Sequence, residues 1–423
     1  MGDVRVEDGP AGVLPRPAGK ARGVASRLLA LGRSRPIGDA DSAPVQVTWV
    51  RHAAGFHALR EEWNRLATQT LPTFVFLMHE WFDAAWEWQK AHGRLRVLCV
   101  YRGAALIGLC PMVRYRRRRA GLRLRTLEFL TVPDTQWCDL LAAPEDRVVV
   151  ARAVAEALHA TRRQWDLVVL GYLHEDSAAK SALAQALASR GVRASVRRQG
   201  ENPFIALTTG WREFYAGRSR RLKKSNNLVA NRLKAHGIAQ VAQIRADAPQ
   251  ASVEEALASL IDISSRSWKH ATGTTLDRLG PGAFIRRLTQ LARARGWLSI
   301  WLCHVDGKPL AGEYQLMFDG QVHALRADFD DSVPELSVGS YLNWKLLEGL
   351  FGQSLARYAM GPGRNAYKRR WTESAEPVYG MTAYGATVAG TLLALVDFVL
   401  RPAARHLRAR MRAFSPSSGE VSA

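Results

Sequence analysis

An internal repeat limits what this chain can become. Residues 97–108, VLCVYRGAALIG, align without a gap on residues 301–312, WLCHVDGKPLAG, so that Leu, Cys, Gly, Leu and Gly coincide. In each copy an apolar run meets a turn at Gly103 or Gly307 and a second apolar run follows, which is the pattern of a β-hairpin. The neighbourhoods repeat as well. After the first hairpin the sequence predicts a strand over 122–130, a helix over 145–161, a strand over 166–171 and a helix over 175–190. After the second it predicts a strand over 322–329, a helix over 340–351 and a strand over 355–360. The shared order predicts two similar α/β units, 45–205 and 206–385. A chain of 423 residues has room for two domains of roughly 150 to 200 residues each.

Outside the repeat, residues 1–44 are rich in Gly, Pro, Ala and Arg without sustained periodicity and read as a disordered basic arm. Residues 386–413 read as a basic amphipathic helix and 414–423 as a Ser/Gly tail. The run from Val378 to Val396 carries no charge, but its first half has the aromatic and glycine content of a strand. What remains, about 387 to 400, is too short to span a bilayer, so the expectation is a helix that touches a protein or membrane surface. Residues 1–20 hold acids and prolines rather than the apolar core of a secretory signal. The four cysteines, Cys99, Cys110, Cys138 and Cys303, form no C-x-x-C pair. Both features favour a reducing cytoplasm, with attachment at the inner membrane face as a further option.

The formal charge of +21 predicts attraction to polyanions: nucleic acid, anionic lipid, or a phosphate-bearing substrate or cofactor. Two clusters concentrate it. Residues 211–236 hold eight Lys or Arg against one Glu, with Phe214, Leu222, Val229 and Leu233 at helical spacing. Residues 114–125 hold seven Arg and no acid, and are read as a loop leaving the first hairpin. Each cluster is either a solvated face or a polyanion site. Nothing points to sequence-specific DNA binding. No G-x-S-x-G, no Walker loop and no His/Cys metal spacing is present, so the expectation is an enzyme without a metal.

The segment 356–373, ARYAMGPGRNAYKRRWTE, admits two readings. Gly361-Pro362-Gly363 through Ala366 fits a dinucleotide-binding turn, but that motif needs a full helix after it and an acid about twenty residues on. Pro377 and the strand-like residues 378–384 leave no room for the helix, and no acid follows Glu376 until Asp397. The alternative reading rests on Tyr367-Lys368-Arg369-Arg370-Trp371.

Four stretches together resemble the GNAT acyltransferase superfamily. They are the basic segment 211–236, the hairpin around Trp301 and Val305-Asp306-Gly307-Lys308-Pro309-Leu310, the loop from Phe329-Asp330 to Leu336-Ser337-Val338-Gly339-Ser340, and Gly363 through Trp371. Within the superfamily the second half is similar to the CelD/BcsL-type acetyltransferases associated with cellulose biosynthesis. It is more distantly similar to the tandem Fem-type ligases of peptidoglycan precursors. The resemblance implies two tandem GNAT-like domains with mixed central sheets, the second one catalytic. It implies an acyl group moved from acetyl-CoA or another acyl-CoA to an amine or hydroxyl of a saccharide or envelope precursor. It also implies two splayed parallel strands, here 322–329 and 355–360, with a main-chain N–H near Ala327 or Asp328 for the developing oxyanion.

The same resemblance places the cofactor pyrophosphate at the helix after Gly339, near Ser337, Val338, Gly339, Ser340 and Tyr341. Free N–H groups and the helix dipole favour an anion there, and Ser337 and Ser340 are placed to cap the helix. A plain capped helix start is the alternative. Leu336 and Tyr341 depart from the family's phosphate-loop pattern. Tyr367 matches the tyrosine that protonates the departing thiolate, or else packs. Lys368 is placed to meet a phosphate or carboxylate, and Trp371 to enter the core. Alternation sets Glu313 with Ala311 and Gln315, opposite the apolar Tyr314 and Leu316, and Asp328 ends the next strand beside Arg326; the two are the candidate bases, with a salt bridge as the alternative for each. Two other functions fit the residues: a ligase using aminoacyl-tRNA, and a binding module that kept the fold and lost the chemistry.

Overall fold

The computed structural model describes residues 44–403, apart from 120 and 364. The proposed arm, apart from its last residue, the 404–413 end of the basic helix, and the tail lie outside the described residues.

Thirteen strands form one mixed sheet. In chain order they are β1 (Val45–Val50), β2 (Arg94–Arg102), β3 (Ala105–Arg119), β4 (Leu122–Phe129), β5 (Leu141–Ala142), β6 (Leu167–Leu173), β7 (Ala194–Ala206), β8 (Ala239–Arg245), β9 (Leu298–Val305), β10 (Lys308–Phe318), β11 (Gln321–Phe329), β12 (Arg357–Ala359) and β13 (Ala375–Tyr384). Their spatial order is β1-β2-β3-β4-β6-β13-β7-β12-β11-β10-β9-β8, with β5 beside β3.

Both copies of the repeat are hairpins. In the second, Asp306 and Gly307 have φ of 48° and 79°, so both central residues are left-handed, the conformation that matches the twist of paired strands. In the first, Gly103 alone has positive φ, 60°. Each half also carries one parallel pair at its centre, β4 with β6 and β11 with β12.

The sheet joins the halves by exchanging strands. β13, at the end of the second half, lies between β6 and β7 of the first. β7 pairs with β13 over most of its length and then, through Phe204–Ala206, with β12. A strand buried between two partners satisfies its main chain on both edges, so neither half closes its sheet alone. The helices reinforce the union. His79–Gln89 of the first half packs on Leu279–Ala294 of the second, with Trp81 edge-on to Phe284. Beside that contact the fully buried Glu80 accepts from Arg295 at 2.6 Å, and Asp83 accepts from Arg287 at 2.7 Å.

Several local expectations change. The basic segment 211–236 is two helices, Trp211–Ala216 and Arg220–His236. The break falls at 217–219 because Ser219 starts a new helix, its Oγ accepting from Leu222 N–H at 3.2 Å. Leu222, Val229 and Leu233 are buried as their spacing requires. The arginine cluster 114–125 is the end of the β3–β4 hairpin rather than a loop, paired through Arg119 and Leu122. The helix expected over 175–190 is confined to 179–188. The C-terminal helix begins at Val388, behind Thr387, and its described part is apolar up to Asp397. Among the described residues no helix is long and apolar enough to cross a membrane.

Candidate active site

The parallel pair β11–β12 is short. Register runs from Gln321 opposite Arg357 to His323 opposite Ala359 and stops there, while β11 continues to Phe329. Beyond Ala359 the chain turns away at Gly361, whose φ is 79°. A cleft of about 820 Å³ opens between the parted segments and is walled by the helix start at Val338. The first half reaches into it. Pro133 and Asp134 line it, and the buried Gln136 occupies the fork, its Nε2 donating to the Ala324 carbonyl at 2.8 Å.

The open edge of β11 presents main-chain groups to this space. Asp330 N–H bonds back to Leu310 across β10, and Asp328 stands opposite Gly312. Strand alternation therefore turns Asp328 toward β10, and turns Ala327 and Phe329 toward the gap.

Glu313 lies on β10 directly opposite Ala327 and lines the cleft. It is 4% exposed. Its Oε1 accepts from Tyr358 Oη at 2.7 Å and Gln315 Nε2 at 2.8 Å. Gln315 is held in turn by Ser299 Oγ and Trp301 Nε1, each at 3.1 Å from its Oε1. Burial raises the Glu313 carboxyl above its ordinary range, and the two hydrogen bonds and the nearby Lys368 and Lys269 only partly oppose it. Among the described residues Oε2 accepts no hydrogen bond, which leaves it for a group entering the cleft.

Asp328 is also buried, but it is paired. Its Oδ1 is 2.7 Å from Lys269 Nζ, and its Oδ2 is 3.8 Å from Arg326 Nε. Lys269 also donates to the Ala327 carbonyl at 3.0 Å. Lys368 is 3% exposed, and its Nζ donates to the carbonyls of Gly361 (2.8 Å) and Pro362 (3.0 Å). It straps the turn that opens the cleft. Burial brings its ammonium down to about 8, against the opposing pull of Glu313. Tyr367 is 41% exposed at the cleft wall, and burial of its hydroxyl, helped by the Glu313 charge, keeps the phenol protonated well beyond its ordinary range. Trp371 is in the core against Trp211 and Tyr215.

The far wall is the start of helix Val338–Phe351. Ser337, Val338, Gly339 and Ser340 all line the cleft; Tyr341 does not, and packs edge-on to Trp344. Ser337 sits at the cap position with φ of 51° and makes no side-chain cap, contrary to the expected capping. Its carbonyl instead accepts from Ser340 and Tyr341 N–H. The helix thereby leaves the N–H groups of Val338 and Gly339 without an intrahelical acceptor, at the positive end of its dipole. A β-carbon on Gly339 would stand 3.0 Å from the Phe329 ring, so only glycine fits without displacing the cleft wall. These features suit a phosphate-bearing group, and Ala327 with the β11 edge suits an extended amide-bearing arm.

The corresponding helix start in the first half is different. Pro144, Glu145 and Asp146 precede Arg147–Ala160, so that start carries acidic residues, and Asp146 caps no helix N–H but pairs with Arg102 at 2.7 Å. The fork beyond β4 and β6 there is taken by the chain itself, with Cys138 N–H bonded to the Tyr172 carbonyl.

Sequence reasoning missed Tyr358, Lys269 and the first-half residues Asp134 and Gln136. The alternation that selected Glu313 also places Gln315 on its face. For Asp134 and Gln136 no local signal exists, because their side-chain contacts with the second half span 187 residues or more.

Residues 220–369 match the acetyltransferase (GNAT) domain family. No curated protein matches the chain. Among solved structures it resembles FemX, at 9% identity over 80% of this chain and 98% of that one, with a TM-score of 0.50. It also resembles L-PGS from Bacillus licheniformis (10% identity, 80% and 96% covered, TM-score 0.48) and a tandem GNAT protein from the clavulanic acid biosynthesis pathway (13%, 81% and 99%, TM-score 0.46). At such identities the likeness is one of fold, a mixed α/β chain on one large sheet, and the acetyltransferase (GNAT) match itself lies within the second half.

Proposed function

We propose that this protein is an acyltransferase whose second half moves an acetyl or other acyl group from acyl-CoA to an amine or hydroxyl of a saccharide or cell-envelope precursor. The observation that carries the reading is the parting of β11 from β12 directly above a buried carboxylate, Glu313, with a free helix start on the opposite wall. Acyl-CoA supplies the thioester. The Val338 and Gly339 N–H groups hold its phosphates, and the β11 edge pairs with its arm. Ala327 N–H donates to the thioester oxygen as charge develops there.

Glu313 Oε2 takes the proton released by the acceptor nitrogen or oxygen as it bonds to the acyl carbon. The C–S bond breaks, and Tyr367 passes its proton to the departing sulfur. Burial raises the Glu313 carboxyl and so makes its ionised form a stronger proton acceptor, and the protonated phenol suits an acid. Asp328, neutralised by Lys269, fixes the β11 edge, and Lys368 fixes the opposite lip. The first half closes the cleft through Pro133, Asp134 and Gln136 and takes no cofactor of its own. It serves as scaffold and acceptor wall.

Native mass spectrometry of the full chain with acetyl-CoA, longer acyl-CoAs and charged tRNA tests the donor. Retention of an acyl-CoA, lost in a Gly339→Leu variant, supports the reading. Retention of aminoacyl-tRNA alone makes it a Fem-like ligase, and retention of neither makes it a binding module.

A further inference from the structure

The cleft is lined from both faces of the sheet, and the two sides are built differently. Successive side chains of β11 point to opposite faces. Phe329 meets Gly339 at the helix start, so its face is the one that suits a phosphate. Asp328 and Arg326 turn to the other face. There Asp328 pairs with Lys269, and Arg326 bonds to Asp134 of the first half and to the Thr274 carbonyl. If the cofactor enters by the helix start, this second side is left to the acceptor.

Trp268 stands on that side, 52% exposed and lining the cleft. An exposed tryptophan alone is ordinary on a protein surface, but this one is fastened before and after. Before it, Arg266 Nε donates to the buried Asp330 at 2.8 Å, and the Arg266 carbonyl accepts from Asp331 N–H at 3.1 Å. After it, Lys269 Nζ pairs with Asp328 at 2.7 Å and donates to the Ala327 carbonyl at 3.0 Å. The indole centroid is 6.0 Å from that Nζ. The ring is therefore held beside the strand edge proposed for acyl transfer. Among the described residues its N–H meets no acceptor, and the exposed carboxylate of Asp331, which also lines the cleft, has no partner.

Three kinds of group would cover an exposed indole: an alkyl chain, a cation, or the face of a pyranose ring, where C–H bonds form an apolar patch rimmed by hydroxyls. An alkyl chain would strip water from the indole N–H and from Asp331 and replace it with nothing. A cation over the ring would meet the Lys269 ammonium already beside it. A pyranose meets neither objection. Its C–H face covers the indole, while its hydroxyls donate to a carboxylate and accept from an N–H.

We infer that Trp268 is the stacking platform of the acceptor subsite and that the acceptor is a pyranose sugar, its ring face on the indole and a hydroxyl on Asp331. Calling the bound sugar the acceptor rests on the acyl-transfer reading above. The platform itself rests on Trp268 and Asp331.

The test is saturation-transfer NMR of the full chain with glucose, N-acetylglucosamine and cellobiose as probes. Sorbitol, which has the hydroxyls without a ring face, choline and hexanol serve as controls. A pyranose should bind in preference to all three controls, with affinity reduced about tenfold or more in Trp268→Ala and restored to within about threefold of wild type in Trp268→Phe. Asp331→Asn should weaken it about threefold or more. Both side chains are exposed, so thermal melting should stay unchanged in every variant. Acetyl-CoA retention, followed by native mass spectrometry of the same samples, separates the two readings. Retention by wild type and Trp268→Ala alike, with pyranose binding lost only in the variant, supports the inference. Retention without pyranose binding, or with Trp268→Ala binding as wild type does, overturns it and leaves acyl transfer standing. Trp268-dependent pyranose binding without acetyl-CoA retention supports the platform and removes the donor. Choline or hexanol bound more tightly than every pyranose overturns the inference.

Discussion

The exchanged strand β13 is held to β12 by one ion pair whose strength can be worked from the structure. Arg357 NH1 donates to Glu376 Oε1 at 2.8 Å, and its NH2 reaches Oε2. The guanidinium also lies 3.7 Å above the Phe204 ring, and His174 Nε2 is 3.9 Å from the carboxylate. Burial alone would raise Glu376, but nearby His174 and the hydrogen bonds from Arg357 outweigh it and bring the carboxyl from 4.5 to about 2. Since each pKa step is worth about 1.4 kcal/mol, the ionised form contributes about 3 kcal/mol to the folded state.

Glu376→Gln keeps the shape and one acceptor, so its expected cost at pH 7 is about 2 kcal/mol. A carboxyl depressed by folding contributes fully above its unfolded value and loses the contribution as pH falls through the folded one. The stability gap between wild type and Glu376→Gln should therefore be constant from pH 7 down to 4.5 and close by about pH 2. Urea unfolding of both proteins across this range, followed by tryptophan fluorescence at fixed ionic strength, measures the gap. No gap at neutral pH, or an undiminished gap at pH 2, would refute the argument that the pair clamps the exchanged strand.

The other consequences are direct. Glu313→Gln should lower transfer by about 10²- to 10⁴-fold while leaving acyl-CoA binding intact. Because a base must be deprotonated to act, wild-type turnover should rise with pH through a midpoint above the ordinary carboxylate range, a limb that the variant lacks. Gln136→Leu removes the partner of the Ala324 carbonyl and of the buried, neutral His323, whose Nδ1 is 3.3 Å from Gln136 Oε1. It should cost about 2 kcal/mol or more in urea unfolding. Gly339→Leu should reduce acyl-CoA affinity at least about tenfold in calorimetry, because the added side chain meets the Phe329 ring at the cleft wall.

The sequence by itself determined the periodic parts. Hairpin turns at Gly103 and Gly307, alternation along β10 and the aliphatic spacing of 220–236 are properties of a few consecutive residues, and a local period writes them directly into the chain. The same alternation singled out Glu313 as a polar residue on an apolar strand. Its Tyr358 and Gln315 partners came only with the fold. Lys368 and Asp328 show the limit more sharply. Both were legible as charged residues near the motif, yet whether each faces a substrate or a neighbour depends on Gly361, Pro362 and Lys269, and only tertiary structure sets those distances. The strand exchange and the entry of Gln136 into the fork of the second half were likewise decided by three-dimensional packing. Unpaired strand edges and buried carbonyls must be satisfied by whatever group the folded chain brings near, and that requirement has no period to be read along a sequence.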